Sequence, residues 1–149
     1  MFRLSLVAVA VTLAIGFPAF AQDAHRIVMD VAAQYDKVWN TRNAQDVAAL
    51  YTSEGIIVPP GTPAGSGHDA IVAFLQPLFV NSWSAHKLEP ATATQMSDTT
   101  IVASMHWTAN LTDANGKTAR YHGDSGQVLT KIGDQWKIKL ASRNVIPDK

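Results

Sequence analysis

The second half of this 149-residue chain leaves few folds open. Segments 86–97, 100–112, 118–131 and 135–146 are all rich in β-branched and aromatic residues, and short polar breaks at Asp98-Thr99, Asn115-Gly116 and Gly133-Asp134 separate them. Strands joined so tightly can pair only as antiparallel neighbours, because a parallel pair needs a long crossover. Asn-Gly between two such runs is a hairpin signal, since both residues tolerate positive φ. Segment 100–112 alternates: Ile101, Ala103, Met105, Trp107, Ala109 and Leu111 share one face, and Val102, Ser104, His106, Thr108 and Asn110 the other. One face of the sheet must therefore be covered.

The first half supplies the cover. From Asp23 to Arg42, apolar residues recur at helical spacing (Val28, Ala32, Tyr35, Trp39, flanked by Ile27, Val31 and Val38). Asn43, with Asp46 three residues on, predicts a capped short helix with Val47, Leu50 and Tyr51 on its buried stripe. Gly55–Val58 reads as a strand closed by Pro59-Pro60, and residues 61–67 as a loop. Ser66 and Asp69 suggest the start of a third helix carrying Ile71, Phe74, Leu75, Leu78 and Phe79, kinked near its end by Pro77. The fold class is α+β: helices on one face of a curved, mostly antiparallel sheet.

Residues 1–21 stand apart. Their only charge is Arg3, Leu4–Ile15 is apolar, Gly16 and Pro18 break the run, and Ala19-Phe20-Ala21 is a small-x-small site. This predicts a signal peptide cleaved after Ala21, a single domain over residues 22–149, and a periplasmic or secreted location. The apolar run is shorter than the roughly 20 residues a bilayer span requires, so no membrane attachment is expected after cleavage. The chain has no cysteine, which removes lipoprotein attachment, disulfides and thiol chemistry together. Twelve Lys and Arg balance twelve Asp and Glu, so a nucleic-acid partner is excluded. His25, His68, His86, His106 and His122 lack metal-ligand spacing, no Gly-rich phosphate loop is present, and Gly123-Asp-Ser-Gly126 lacks the context of a nucleophile elbow. Neither metal nor cofactor is expected.

Register then assigns the faces. A two-residue Asn115-Gly116 loop sets Ala109 opposite His122, Trp107 opposite Asp124, Met105 opposite Gly126 and Ala103 opposite Val128. A three-residue loop, Ile132-Gly133-Asp134, sets Ser142 opposite Asp124 and Asn144 opposite His122. The inner face is then apolar at Ala103, Val128, Ile138 and Leu140, and polar at Trp107, His122, Asp124, Ser142 and Asn144. Such a mixture suits a small-molecule pocket. His122 and Asp124, i and i+2 on one strand, form the candidate catalytic pair, because a carboxylate beside an imidazole raises its basicity. Alternatively, Asp124 only hydrogen-bonds Trp107 or Ser142. Tyr35, Trp39, Tyr51 and Trp83 are candidate pocket residues or plain core. Lys137, Lys139 and Arg143 share the outer face of the last strand, solvated or at a dimer rim.

Tyr35-Asp-Lys-Val-Trp39-Asn40, Asn43-Ala-Gln-Asp46, Leu50-Tyr51, Val58-Pro-Pro-Gly61, Gly67 with Ile71, and Asp134-Gln-Trp136-Lys-Ile138 resemble the nuclear transport factor 2-like superfamily, above all its SnoaL-like domains. The resemblance covers residues 25–146. It implies a cone-shaped α+β barrel, three helices wrapped by a strongly bent sheet, a pocket between them, and a homodimer. The superfamily includes ketosteroid isomerases, cyclases, dehydratases and non-catalytic binding or dimerisation modules, so fold alone does not give function. Tyr35 matches the isomerases' pocket tyrosine. Pro59 stands where their general base would be, and Gly126 near their second acid, with Asp124 one inward position away. The expectation is an exported domain that binds a small apolar or aromatic ligand. Two alternatives are an isomerase, cyclase or dehydratase using His122 and Asp124 with Tyr35 as orienting donor, and a dimerisation module.

Overall fold

In the computed structural model, residues 19–147 are described. The expected signal segment, apart from backbone at Ala19–Ala21, lies outside them. The elements are α1 (Ala19–Trp39), α2 (Ala44–Ala48), β1 (Tyr51–Val58), β2 (Gly65–Ser66), α3 (His68–Val80), β3 (Trp83–Ser97), β4 (Thr100–Thr112), β5 (Thr118–Ile132) and β6 (Gln135–Arg143). The six strands form one sheet in the order β2-β1-β6-β5-β4-β3, with β1 and β6 parallel and the other neighbours antiparallel. Pro90, lacking an N–H donor, is tolerated because β3 is an edge strand. Irregularities in β1, at three places in β3, and between β5 and β6 break the ladder and curve the sheet. Among the described residues no helix is long and apolar enough to cross a membrane.

The helices bury the stripes their periodicity predicts: Val28, Ala32, Tyr35 and Trp39 on α1, and Ile71, Leu75 and Phe79 on α3. Asn43 caps α2, its side chain accepting from the N–H groups of Gln45 and Asp46. On β4, Ile101, Ala103, Met105, Trp107 and Ala109 are buried. Three local expectations change. Tyr51 opens β1 rather than closing α2, Gly65-Ser66 pairs with Ile56 and Ile57, and Gly67 rather than Ser66 precedes α3.

The hairpin loops differ from expectation in a way that moves whole faces. The amide of Asp113 bonds to Lys117 O, and the amide of Gly116, at φ 80°, bonds back to Asp113 O. The loop thus has three residues, Ala114-Asn115-Gly116, a length that places glycine in the left-handed region. Thr108 then lies opposite His122, Trp107 opposite Gly123 and His106 opposite Asp124. This one-residue slip turns His122 and Asp124 to the outer face and brings Gly123, Ser125, Gln127 and Leu129 inward, because side chains alternate with period two. At the next hairpin Ile132 pairs with Gln135 across a two-residue Gly133-Asp134 loop, so Leu129 rather than Val128 faces Ile138. Beyond it, Lys139 is an extra residue: Leu129 pairs with Ile138 but Val128 with Leu140. Ala141 follows Ile138 into the core, and Arg143 takes the inward position expected for Ser142.

Gly123 allows the close approach that ends this sheet. A Cβ there would collide with Asn144 O and lie 2.8 Å from Trp107 Nε1, the two atoms joined by a 3.0 Å hydrogen bond. Gly123→Ala should lower stability by about 1–3 kcal/mol in urea unfolding, as overpacking does. Gly126→Ala, where a Cβ meets nothing within 4 Å, should change stability by less than about 1 kcal/mol.

Candidate functional site

The last turns of α1 carry Tyr35, Asp36, Trp39 and Asn40 onto β3. There Ser84 pairs with Asn110 and Lys87 with Thr108, so Ala85 and His86 together face Ala109 as a bulge. Ala85 adopts φ 50°, and His86 turns inward to 4% exposure. A bulge forfeits ladder hydrogen bonds, and α1 replaces them. Asn40 Nδ2 donates to His86 O and Asn40 Oδ1 accepts from His86 N–H, both at 3.0 Å. The Asp36 carboxylate accepts from Leu88 N–H at 2.9 and 3.1 Å and lies 2.8 Å from His86 Nδ1. The His86 ring stacks on Trp39, with centroids 4.7 Å apart.

The bulge at Lys139 delivers the opposite partner. Arg143 places its guanidinium carbon 5.1 Å from the centre of the Tyr35 ring and its Nη1 3.2 Å from His86 Nε2. A carboxylate only accepts and a guanidinium only donates, so His86 carries its proton on Nδ1 and accepts on Nε2. The result is a chain, Asp36–His86–Arg143, running from α1 to β6. Burial, and secondarily the Arg143 charge, push the His86 pKa down from 6.5 to about 4, outweighing Asp36. The imidazole is neutral at physiological pH. Burial also drives the Tyr51 hydroxyl well above its ordinary pKa.

A cavity of about 280 Å³ opens on this chain. Trp39, Phe74, Leu78, Trp83, Trp107 and Ala109 wall it, Pro60, Thr62 and Val145 form part of its lining, and His86 and Arg143 are its ionisable members. A wider depression of about 570 Å³ between α2 and α3 is a surface groove, far less aromatic in its lining. Behind Arg143 lie the buried hydroxyls of Tyr35 and Tyr51, which interact with it and with each other, and further buried polar side chains sit at Ser125 and Gln127. Ser125 stands directly opposite Arg143 in register.

The residues expected from sequence divide. Trp39, Trp83 and Trp107 line the cavity, while Tyr35 and Tyr51 are buried beside it. His122 and Asp124 do not face it: Asp124, its side chain 48% exposed, lies 2.7 Å from Nδ1 of His106, across the strand pair on the outer surface. The expected inward placement is corrected by the three-residue loop. Ser142 pairs with Gly126 on that outer side. Asn144 is exposed, its Oδ1 accepting from Asp124 N–H at 2.6 Å and its carbonyl accepting from Trp107 Nε1. Arg143, expected on the outer face, is turned inward by the Lys139 bulge. Asp36, Asn40, His86 and Arg143 escape a reading based on alternation, because two of them sit on or just beyond bulges. One signal was available: Asp36 and Asn40 share a helical face, i and i+4, beside the apolar stripe. Among the described residues no group of three or more acidic or imidazole side chains is placed to hold a metal ion.

Residues 31–137 match the family model of the SnoaL-like domain. A comparison with curated proteins gives no match. Solved structures are similar in fold. A protein from Xanthomonas campestris described as a calcium/calmodulin dependent protein kinase II association domain aligns with TM-score 0.75 at 20% identity, over 99% of this chain and 100% of that one. A ketosteroid isomerase-like protein from Erwinia carotovora atroseptica aligns with TM-score 0.74 at 19% identity, over 85% and 98%. An NTF2-like protein with a cystatin-like fold from Novosphingobium aromaticivorans aligns with TM-score 0.66 at 13% identity, over 86% and 85%.

The buried neutral imidazole makes stability depend on pH. Folded His86 takes a proton only near pH 4, whereas in the unfolded chain it does so near 6.5. Between these values the unfolded state binds more protons, so stability falls as pH falls through that window, by at most about 3 kcal/mol for this group. Urea midpoints measured from pH 7 to 4 should show the decline, and His86→Gln should flatten it.

Proposed function

Because the chain belongs to the SnoaL-like domain family and keeps an aromatic-walled cavity between its helices and sheet, we propose that it binds a small, largely aromatic molecule there. The carrying observation is the cavity: about 280 Å³, three tryptophans and a phenylalanine on its walls, and a polar floor at His86 and Arg143. Ligand sites are typically apolar with a few convergent polar groups. A void of roughly 150 Å³ accommodates benzene, so this one suits a substituted single ring or a fused pair. The proposal includes export of residues 22–149 and assembly as a homodimer. Cell fractionation and light scattering on the exported chain test these two points.

A second reading, an acid–base enzyme, is favoured by the Asp36–His86 pair touching the cavity. Asp36 fixes the tautomer and orientation of the imidazole, as a general base requires. Nε2, which accepts from Arg143, becomes available to a substrate proton once Arg143 turns to the ligand. This pair takes the role that sequence alone assigned to His122 and Asp124.

Three tryptophans in the wall make binding visible in intrinsic fluorescence. Titration with naphthalene-sized aromatics should quench it saturably, and Leu78→Trp, which fills the cavity, should remove the response while the fold is retained. A wild type that responds to no aromatic of this size, or a filled variant that responds equally, overturns the binding reading. On the enzyme reading, Asp36→Asn should lower turnover of a converted ligand by about 100-fold or more and leave its binding within a few-fold.

A further inference from the structure

We infer that the ligand carries an anionic oxygen group, a carboxylate or its equivalent, and that Arg143 is the residue that recognises it. This rests on the ligand-binding reading above and names the chemical class of the ligand.

The argument begins with the state of the guanidinium. Arg143 points inward and is half-buried, with Nε and Nη2 shielded from solvent, yet among the described residues no carboxylate stands within ion-pair distance of it. Buried cations are ordinarily paired, because desolvation without a counter-charge is expensive. Its hydrogen bond goes to His86 Nε2, a neutral acceptor. A guanidinium has five N–H donors in a planar fork that fits two carboxylate oxygens. Here Nε and Nη2 are shielded from solvent and reach no carboxylate, with the Tyr35 hydroxyl as their neighbour. The nearest carboxylate, Asp36, lies across the imidazole ring, and its oxygens are occupied by His86 Nδ1 and Leu88 N–H. Arg143 is thus a cation with no directly bonded carboxylate, its counter-charge at Asp36 acting from beyond the His86 ring.

Its surroundings favour an anion. The other lining residues are aromatic, apolar or uncharged, so they neither compete with the charge nor screen it. On its interior side lie the buried Tyr35 and Tyr51 hydroxyls, which interact with each other and with Arg143 behind the cavity wall. A planar aromatic body against Trp39, Trp83 and Trp107, with its acid group turned to Arg143, satisfies both halves of the cavity. Arginine cannot be titrated away at accessible pH, so recognition is permanent rather than switched.

The test compares 2-naphthoate with 2-naphthamide, equal in shape and different in charge, by calorimetry at pH 7.5. Wild type should bind the carboxylate at least about tenfold tighter than the amide, the discrimination expected of charge-assisted hydrogen bonds. Arg143→Gln should abolish the preference while still binding the amide. Arg143→Lys, which keeps the charge, should retain part of the preference, and it decides the matter if the Gln variant does not fold. Equal binding of acid and amide by wild type overturns the inference while the aromatic-cavity reading stands. An unchanged ratio in folded Arg143→Gln overturns the role of Arg143. Binding of neither compound overturns this inference together with the reading on which it rests.

Discussion

The clamp between the end of α1 and the bulge in β3 organises the molecule. Asn40 grips both backbone groups of His86, and Asp36 grips the Leu88 amide and the His86 ring. Four polar contacts tie a helix to a place where an edge strand cannot satisfy its own ladder. Without them the bulge would expose orphan backbone groups, each costly when buried. Ala85, a non-glycine residue at positive φ, shows that the bulge is held under mild strain. That strain points the imidazole inward, against the preference of a polar group for water. The position of α1 over the sheet, the cavity beside Trp39 and the neutrality of His86 all follow from this junction.

The interior that results is polar in a way few cores are. Tyr35, Tyr51, Ser125 and Arg143 lie together where a purely structural domain would pack leucine and valine, and Gln127 is buried one inward position further along β5. Buried polar groups of this kind reduce stability, since replacement by apolar residues of similar volume is often neutral or favourable. They lie interleaved with the apolar core rather than apart from it: Tyr51 pairs with Ile138, and Gln127 stands one inward position from Leu129. Functional sites are where local consistency is given up.

Much of the architecture was legible from periodicity alone. The α1 stripe, the Asn43 cap, the third helix with its proline and the buried set on β4 all follow from spacing, because each depends on neighbours within one element. What failed was register, which depends on turns. Asn115-Gly116 predicts a tight two-residue turn, but Asp113 also accepts from the amides of Asn115 and Lys117, and that pair of contacts stabilises the longer loop. One residue of slip is enough to exchange the faces of a strand. His122 and Asp124 therefore moved from a supposed active site to the surface, although the strand itself was placed correctly.

The same logic explains why the cavity's charged residues were hidden. Alternation assigns Arg143 to the face of Lys137 and Lys139, and that parity holds until an extra residue enters the ladder. Bulges carry no reliable sequence signature, because they are defined by what the partner strand does. Yet a bulge is an economical way to bring a polar side chain to the inner face of a curved sheet: it changes the parity of everything beyond it and leaves the earlier core untouched. Both ionisable groups of this cavity depend on that device, His86 within the bulge of β3 and Arg143 beyond the bulge of β6. The two irregularities lie on strands at different positions in the sheet, and curvature brings their side chains to 3.2 Å. In a cone of this kind, the residues to examine first are those where the buried-exposed alternation breaks, since the bend that shapes the cavity also supplies its chemistry.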